Sequence, residues 1–226
     1  MAQGSELLQA VVLETGPDPA LAVVWLHGLG ADGHDFEGIV PEMDLREPSV
    51  RFVFPHAPVI RVRVNGGMPM RAWYDIAHPE IGRDPDLEGM GGSVAEVEKL
   101  VGQEISRGIP RERIVLAGFS QGGVIALLSA FTTGLRYAGV LALSTYLPPA
   151  PDLRLVDSPT PLLMVHGTED PVVPFRLGKS SFDRIVALGG AGERRWLDYR
   201  MGHSVCLPEV EEISSWLRTI ANNPLS

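Results

Sequence analysis

The sequence predicts an α/β fold in which a mostly parallel sheet carries helices on both of its faces. Short runs rich in β-branched and aromatic residues alternate with helix-like segments, which is the pattern of a parallel sheet built from strand–helix–strand units. Most runs are apolar throughout, as expected of strands that are covered on both sides. The length of 226 residues suits one domain, and we expect residues 1–226 to form it.

Strands and helices can be assigned in chain order from these runs. The candidate strands are residues 11–14, 22–26, 50–54, 114–117, 140–143, 162–165 and 195–199. One helix begins at the capping-box sequence Ser93-Val94-Ala95-Glu96 and continues until Gly108 and Pro110 stop it. Three more helices are predicted at residues 121–133, 175–188 and 209–220. Residues 55–92 are rich in proline and glycine, so we expect a long functional loop with little regular structure there.

Charge and composition exclude several classes of function. The formal net charge is −9 and Lys and Arg do not cluster, which argues against nucleic acid as a partner. No apolar run approaches the about 18 residues of a membrane span, so no stable membrane insertion is expected. Residues 1–15 lack the basic and apolar regions of a signal peptide, and the single cysteine, Cys206, allows no internal disulfide. These features predict a cytoplasmic protein.

The strongest chemical signal is the sequence Gly118-Phe119-Ser120-Gln121-Gly122, which lies between a candidate strand and an Ala/Leu-rich helix. A sharp turn between strand and helix exposes the serine hydroxyl, and the flanking glycines let the two elements approach each other. The helix N-terminus also directs the backbone N–H of Gln121 toward an oxyanion formed beside Ser120. We therefore predict that Ser120 is a nucleophile and Gln121 an oxyanion donor; a plain glycine-rich turn is the alternative.

A serine hydroxyl needs an imidazole to take its proton, and only His166 and His203 follow the nucleophile in the sequence. His203 lies in a loop after the last strand, at the sheet edge where the nucleophile turn also lies, whereas His166 ends a strand and suits the core. Asp170 is the predicted acid, because the rigid sequence Pro171-Val172-Val173-Pro174 follows it. Glu169 is the fallback acid, and helix capping is the alternative role of Asp170.

A second glycine-rich turn, at Gly28, Gly30 and Gly33, follows a strand and fits the G-x-G-x-x-G pattern of dinucleotide-binding proteins. The context does not fit, because the next strand ends in Pro55-His56 where an acidic ribose ligand is required. A His-Gly turn at this point instead offers a second oxyanion donor, the backbone N–H of Leu29. No His-x-x-x-His or Cys-x-x-Cys spacing occurs, so we expect no metal and no cofactor.

Seven short motifs extend over nearly the whole chain. They are LHGLGADG at 26–33, FPHAP at 54–58, VNGGM at 64–68, AWYDI at 72–76, GFSQGG at 118–123, LSTYLP at 143–148 and HGTEDP at 166–171. Together they resemble the bacterial carboxylesterases related to acyl-protein thioesterases and lysophospholipases, within the α/β-hydrolases. The resemblance implies an α/β-hydrolase fold without a separate cap domain, and often a homodimer. It also implies the same nucleophile, acid, base and oxyanion donors: Ser120, Asp170, His203, Leu29 and Gln121.

The function that the resemblance implies is hydrolysis of carboxylic esters with short to medium acyl chains, through an acyl-Ser120 intermediate. Acyl-protein thioesterase or lysophospholipase activity on the same residues is the alternative. The resemblance also implies an acyl channel lined by the loop of residues 55–92 and by the turns at Tyr146-Leu147 and Val172-Val173. Leu29, Trp73, Leu147 and Val173 are predicted to bind substrate in this channel. Three alternatives from other classes are a cofactor-free peroxidase-type activity, an NAD-binding protein and a catalytically silent binding module.

Overall fold

A seven-stranded sheet forms the centre of the fold in the computed structural model, which describes residues 7–222. Residues 1–6 of the N-terminal stretch 1–15 considered above lie outside the described residues. The strands are β1 (Ala10–Glu14), β2 (Leu21–Leu26), β3 (Val50–Pro55), β4 (Val59–Val62), β5 (Met68–Arg71), β6 (Ile114–Phe119), β7 (Gly139–Leu143), β8 (Leu162–Gly167) and β9 (Arg194–Tyr199). The central sheet has the order β1-β3-β2-β6-β7-β8-β9, and β1 is antiparallel to β3 while the other pairs are parallel. All seven predicted strands are confirmed.

Helices cover both faces of this sheet, as predicted. They are α1 (Leu87–Ser106), α2 (Gln121–Phe131), α3 (Phe175–Val186) and α4 (Leu207–Asn222). The first three pack on one face, and α4 packs on the other together with the 3₁₀ helix Glu37–Glu42. Along β2, Val24 and Leu26 belong to the first core, whereas Val23 and Trp25 belong to the second. Burial on both faces explains why the strands read as continuous apolar runs.

The parallel strands bring the residues of interest to one edge of the sheet. Leu29 follows β2, Ser120 follows β6, and Tyr146 comes shortly after β7. Asp170 follows β8 and His203 follows β9. Because these five strands are neighbours that run in the same direction, their carboxyl ends share one edge, where α/β folds of this type bind ligands.

The segment of residues 55–92 contains more regular structure than predicted. β4 and β5 form an antiparallel hairpin within it, and α1 begins there at Leu87 rather than at Ser93. The predicted capping box is wrong, because Asp86 caps the helix by accepting a hydrogen bond from the backbone N–H of Gly89 at 2.9 Å. Ser93 is instead buried inside α1, where its hydroxyl donates to the backbone carbonyl of Trp73. The Ser93 side chain, which the local sequence predicts to be a helix cap, therefore makes a tertiary hydrogen bond instead.

A buried carboxyl group near the start of α4 makes stability depend on pH. Glu209 is fully buried; its Oε2 accepts from the backbone N–H of Cys206 at 3.3 Å, and its Oε1 has no hydrogen-bond partner within residues 7–222. Burial raises the pKa of Glu209 from 4.5 to about 7, and the hydrogen bond from Cys206 opposes this only in part. The folded protein thus holds this proton more tightly than the unfolded chain, so stability falls as the pH rises from about 4.5 through 7.

We expect Glu209→Gln to raise the free energy of unfolding by on the order of 1 to 3 kcal/mol at about pH 8 and by much less at about pH 5. A glutamine keeps an acceptor for Cys206 but carries no charge to bury. Urea unfolding at the two pH values measures the difference. Glu211→Gln, an exposed change on the same helix, is the matched control, and equal stabilisation by both variants would contradict the prediction.

Candidate active site

The turn that carries Ser120 is strained and is held from two sides. Ser120 lies between the end of β6 and the start of α2 with φ 53° and ψ −115°, a conformation that is uncommon for a residue with a side chain. Its backbone N–H donates to the carbonyl of Leu143 at 2.9 Å, and its carbonyl accepts from the hydroxyl of Thr145 at 2.6 Å. Bonds from β7 and the segment after it therefore fix the turn so that the serine hydroxyl is presented at the sheet edge.

Glycines are required on both sides of this turn because strand and helix pass very close to each other. A Cβ at Gly118 would lie 2.3 Å from the backbone carbon of Gly122, and a Cβ at Gly122 would lie 2.3 Å from the carbonyl oxygen of Leu26. Both distances are far inside van der Waals contact with backbone atoms. The glycine pattern around Ser120 thus has a packing cause in this fold.

Asp170 and His203 form a hydrogen-bonded pair. Asp170 Oδ2 lies 2.8 Å from His203 Nδ1, while Oδ1 accepts from the backbone N–H groups of Val172 and Val173 at 2.8 and 2.9 Å. The carboxyl group is fully buried and the imidazole is 16% exposed. Because the carboxylate accepts at Nδ1, the proton of the neutral imidazole lies on that atom, and Nε2 keeps a lone pair that can take a proton.

The other histidine and the other carboxylate lie elsewhere. Glu169 pairs with Arg200 at 2.8 Å and its side chain is 58% exposed, so it does not approach the His203 ring as Asp170 does. His166 is fully buried behind the acid; its Nε2 lies 2.9 Å from the carbonyl oxygen of Val173 and 3.5 Å from Asp170 Oδ2. Burial lowers the pKa of His166, which favours a neutral core imidazole.

A cavity of about 380 Å³ joins the predicted nucleophile, base and oxyanion donors, because Ser120, His203, Leu29 and Gln121 all line it. The residues that line the rest of it are mostly apolar or aromatic: Tyr74, Ile76, Ala77, Ile81, Met90, Phe119, Tyr146 and Val172. Of these, only Phe119 lies outside the segments that were predicted to line an acyl channel. Exposed charged side chains lie at its rim: Asp35, Glu80, Arg83 and Asp84. For the lining residues between Tyr74 and Met90, the signal in the sequence was the long loop-rich segment 55–92, in which apolar residues occur among the glycines and prolines.

The four predicted substrate-binding residues divide into two pairs. Leu29 and Val173 line the cavity. Trp73 and Leu147 do not line it, so the structure does not place these two on the channel wall as predicted. Trp73 donates from Nε1 to the carbonyl of His27 at 2.9 Å, and the backbone N–H of Leu147 donates to Ser181 at 2.8 Å. Both residues therefore support the site from behind.

His27 orients the peptide that precedes Leu29. Its Nδ1 donates to the carbonyl of Gly28 at 2.7 Å, and its Nε2 accepts from the backbone N–H of Ala57 at 3.0 Å. Burial lowers the pKa of His27, so the neutral ring that this bonding requires is favoured. In a trans peptide the carbonyl and the next N–H point in opposite directions, so the bond to Gly28 directs the N–H of Leu29 away from His27.

Gln121, the second predicted oxyanion donor, is bound through its side chain to the backbone of Trp73 and Tyr74. Its Oε1 accepts from the backbone N–H of Trp73 at 2.9 Å, and its Nε2 donates to the carbonyl of Tyr74 at 2.7 Å. As the first residue of α2, Gln121 has a backbone N–H without an acceptor inside the helix. This N–H is available to an oxyanion at Ser120.

The glycines of the 28–33 turn also have structural causes. Gly30 has φ 78°, and a Cβ at Gly33 would lie 2.4 Å from the carbonyl oxygen of Phe54. The element that follows is the 3₁₀ helix Glu37–Glu42 rather than the α-helix whose N-terminus binds pyrophosphate in dinucleotide-binding proteins. The turn is therefore explained by packing against β3 without a dinucleotide.

Metal sites and membrane-spanning helices are not found in the part of the chain that the structure describes. Among residues 7–222, no group of three or more His, Cys, Asp or Glu side chains is arranged to hold a metal ion. Over the same residues, no helix combines the length and the apolar character that crossing a membrane requires.

Comparison with known proteins identifies the family. A family model described as phospholipase/carboxylesterase matches residues 8–221. The chain belongs to this family. One relative is named acyl-protein thioesterase 1 of Cryptococcus neoformans var. neoformans, which is 37% identical over 214 residues that make up 86% of this chain and 90% of the relative. A relative of the same name from Gibberella zeae is 38% identical and matches 87% of this chain and 88% of its own.

Solved structures show the same α/β-hydrolase fold. The crystal structure of Arabidopsis thaliana SOBER1 has a TM-score of 0.78 and 30% sequence identity, and the match covers 88% of this chain and 98% of that one. The crystal structure of Zea mays acyl-protein thioesterase 2 has a TM-score of 0.77 and 26% identity, with coverage of 94% and 100%.

Proposed function

We propose that this family member is a serine carboxylesterase that hydrolyses carboxylic esters with short to medium acyl chains through an acyl-Ser120 intermediate. The observation that carries the proposal is the 2.8 Å contact between Asp170 Oδ2 and His203 Nδ1, at the cavity that Ser120 also lines. A volume of about 380 Å³ is near the lower end for ligand pockets, which favours a small acyl group.

The proposed reaction has two halves. In the first, Nε2 of His203 takes the proton of Ser120 as the serine oxygen attacks the carbonyl carbon, and the backbone N–H groups of Leu29 and Gln121 bind the oxyanion. The leaving group departs with the proton from His203. In the second, His203 takes a proton from water as the water oxygen attacks the acyl carbon. The bond from the acyl carbon to the Ser120 oxygen then breaks, His203 returns the proton to that oxygen, and the acid leaves. Asp170 stays ionised throughout and stabilises the imidazolium.

Thioester hydrolysis is the second candidate for the same residues. The names of the fungal and maize relatives, which are acyl-protein thioesterases, favour it. The chemistry at Ser120 is the same, except that sulfur rather than oxygen leaves. Lysophospholipase activity would use the same steps and is supported by the family description.

A covalent probe and two matched substrate series test the proposal. We expect an organophosphonate to add to Ser120, as measured by intact mass and peptide mapping. 4-Nitrophenyl esters and N-acetylcysteamine thioesters of the same acyl chains give kcat/KM for oxygen and sulfur leaving groups over increasing chain length. Folded protein that neither reacts with the probe nor turns over either series would favour the binding module, and peroxide-dependent halide oxidation would favour the peroxidase-type alternative.

Four predictions rest on the sequence and its resemblance to the family. They are a single domain over residues 1–226, a cytoplasmic location, a bacterial source and a homodimer. The family match over residues 8–221 supports the first of them. Sedimentation velocity of the purified chain measures the last one directly.

A further inference from the structure

Two buried tyrosines face each other in the wall of the active-site cavity. Tyr74 is 2% exposed and Tyr146 is 7% exposed, and both line the cavity that Ser120 lines. Their hydroxyl oxygens are 3.4 Å apart. This is a long contact, since O–H···O hydrogen bonds in proteins are typically about 2.7 to 2.8 Å. The pair therefore shares one weak hydrogen bond.

Both tyrosines are anchored next to the nucleophile turn. The backbone carbonyl of Tyr74 accepts from the side chain of Gln121 at 2.7 Å, and Tyr146 directly follows Thr145, whose hydroxyl donates to the carbonyl of Ser120 at 2.6 Å. Each tyrosine backbone thus lies within one residue of a group bonded to Ser120 or Gln121. Both tyrosines and Ser120 line the same cavity.

The tyrosines lie on the side of the cavity that suits the acyl group. His203 is 16% exposed and must deliver a proton to the leaving group, so the leaving group lies toward solvent. The acyl chain then extends inward, toward the buried pair. Its other neighbours there are the apolar side chains of Ile76, Ile81 and Met90.

One hydroxyl proton of the pair has no acceptor. Two hydroxyl groups have two protons, and the contact between them uses one. Within residues 7–222, neither hydroxyl has another hydrogen-bond partner. Burial raises the pKa of Tyr74 far above its ordinary value and raises that of Tyr146, so both remain donors at neutral pH. The acceptor for this proton must therefore come from what fills the cavity, and an all-carbon chain that displaces water there would leave the donor unpaired.

We propose that Tyr74 and Tyr146 determine acyl specificity by donating a hydrogen bond to an oxygen atom within the acyl chain, such as a hydroxy, oxo or ether oxygen. This inference rests on the proposed esterase function, whose acyl group it describes. A site that binds a substrate oxygen in this way discriminates against the all-carbon analogue, because the buried donor is then left unpaired.

An oxygen scan of the acyl chain tests the proposal. The substrates are 4-nitrophenyl hexanoate and its analogues in which one methylene at a time is replaced by an ether oxygen. For each oxygen position, kcat/KM for the ether is divided by kcat/KM for hexanoate, in the wild type and in each of Tyr74→Phe and Tyr146→Phe. The wild-type ratio divided by the variant's ratio is the double ratio. Intrinsic ester reactivity cancels in this double ratio. We expect a double ratio of about 5 to 10 at one oxygen position and near 1 at the others.

Tyr199→Phe is the matched control, because this tyrosine lies outside the cavity lining and its hydroxyl is 3.5 Å from the carbonyl of Pro208. We expect its double ratio to be near 1 at every position. Double ratios near 1 at every position for both cavity variants would overturn the inference. If either variant fails to unfold cooperatively, the wild-type enzyme alone decides. Its kcat/KM at each oxygen position is divided by the rate constant for alkaline hydrolysis of the same ester. A peak at one position supports the inference, and equal values at every position overturn it. Failure of the proposed esterase function would give a different result from failure of this inference, because no ester would then be hydrolysed.

Discussion

Ser120→Ala is expected to lower kcat for 4-nitrophenyl esters by roughly 10⁴- to 10⁶-fold while cooperative unfolding is retained. The substitution removes the attacking oxygen and leaves His203 without a proton to take. It keeps the Cβ atom and the backbone bonds from Leu143 and Thr145 that hold the turn at φ 53°. The residual rate reports what the oxyanion donors and substrate binding contribute without a nucleophile.

Ser204→Ala is the matched control for this variant. Ser204 is an exposed serine directly after His203, so the same chemical change is made beside the proposed base but away from the nucleophile turn. We expect it to retain most of the wild-type kcat. Near-normal turnover by Ser120→Ala, together with probe labelling at another residue, would contradict the proposed mechanism.

Asp170→Asn is expected to lower kcat by about 10⁴-fold with little change in fold. The asparagine oxygen can still accept from the backbone N–H groups of Val172 and Val173, which leaves its NH₂ group facing His203 Nδ1. Two donors cannot pair, so the imidazole must carry its proton on Nε2. In that tautomer it cannot take the proton of Ser120.

Glu169→Gln tests the alternative acid with the same chemical change one residue away. The Glu169 side chain is 58% exposed and its ion pair with Arg200 is at the surface, so we expect kcat to stay within a few-fold of the wild type. Measuring kcat/KM and thermal unfolding for both variants separates a catalytic loss from a structural one. A larger loss in Glu169→Gln than in Asp170→Asn would reverse the assignment of the acid.

Local sequence signals predicted the central elements well. The apolar runs of β2, β6, β7 and β8 were recognisable because each strand is buried on both faces, so every residue in it is selected for the core. Ser120 and Asp170 were predicted after such strands and His203 after the edge strand β9, and parallel neighbours bring these strand ends together. The approach of Asp170 to His203 therefore follows from topology, although the two are far apart in sequence.

The capping box and the channel wall show where such signals fail. A helix could start at Ser93-Val94-Ala95-Glu96 if only local sequence mattered. In the structure Asp86 provides an earlier cap, and the Ser93 hydroxyl donates to the carbonyl of Trp73. Trp73 was predicted from the resemblance to touch substrate, yet its backbone N–H donates to Gln121, its ring N–H donates to His27, and it does not line the cavity. The type of a residue does not specify whether its side chain lines a cavity or packs behind it.

The sequence by itself determined the fold class and the order of the seven central strands and four helices, because these depend on periodicity within short stretches of chain; turn chemistry predicted the order of nucleophile, acid and base. Only the tertiary structure decided where α1 begins, which side chains enclose the cavity, that Glu209 loses its solvent, and that the hydroxyls of Tyr74 and Tyr146 meet. Each of these depends on packing between segments distant in sequence. Such packing is the sum of many small contacts, and these leave no recognisable pattern in the sequence of either segment alone.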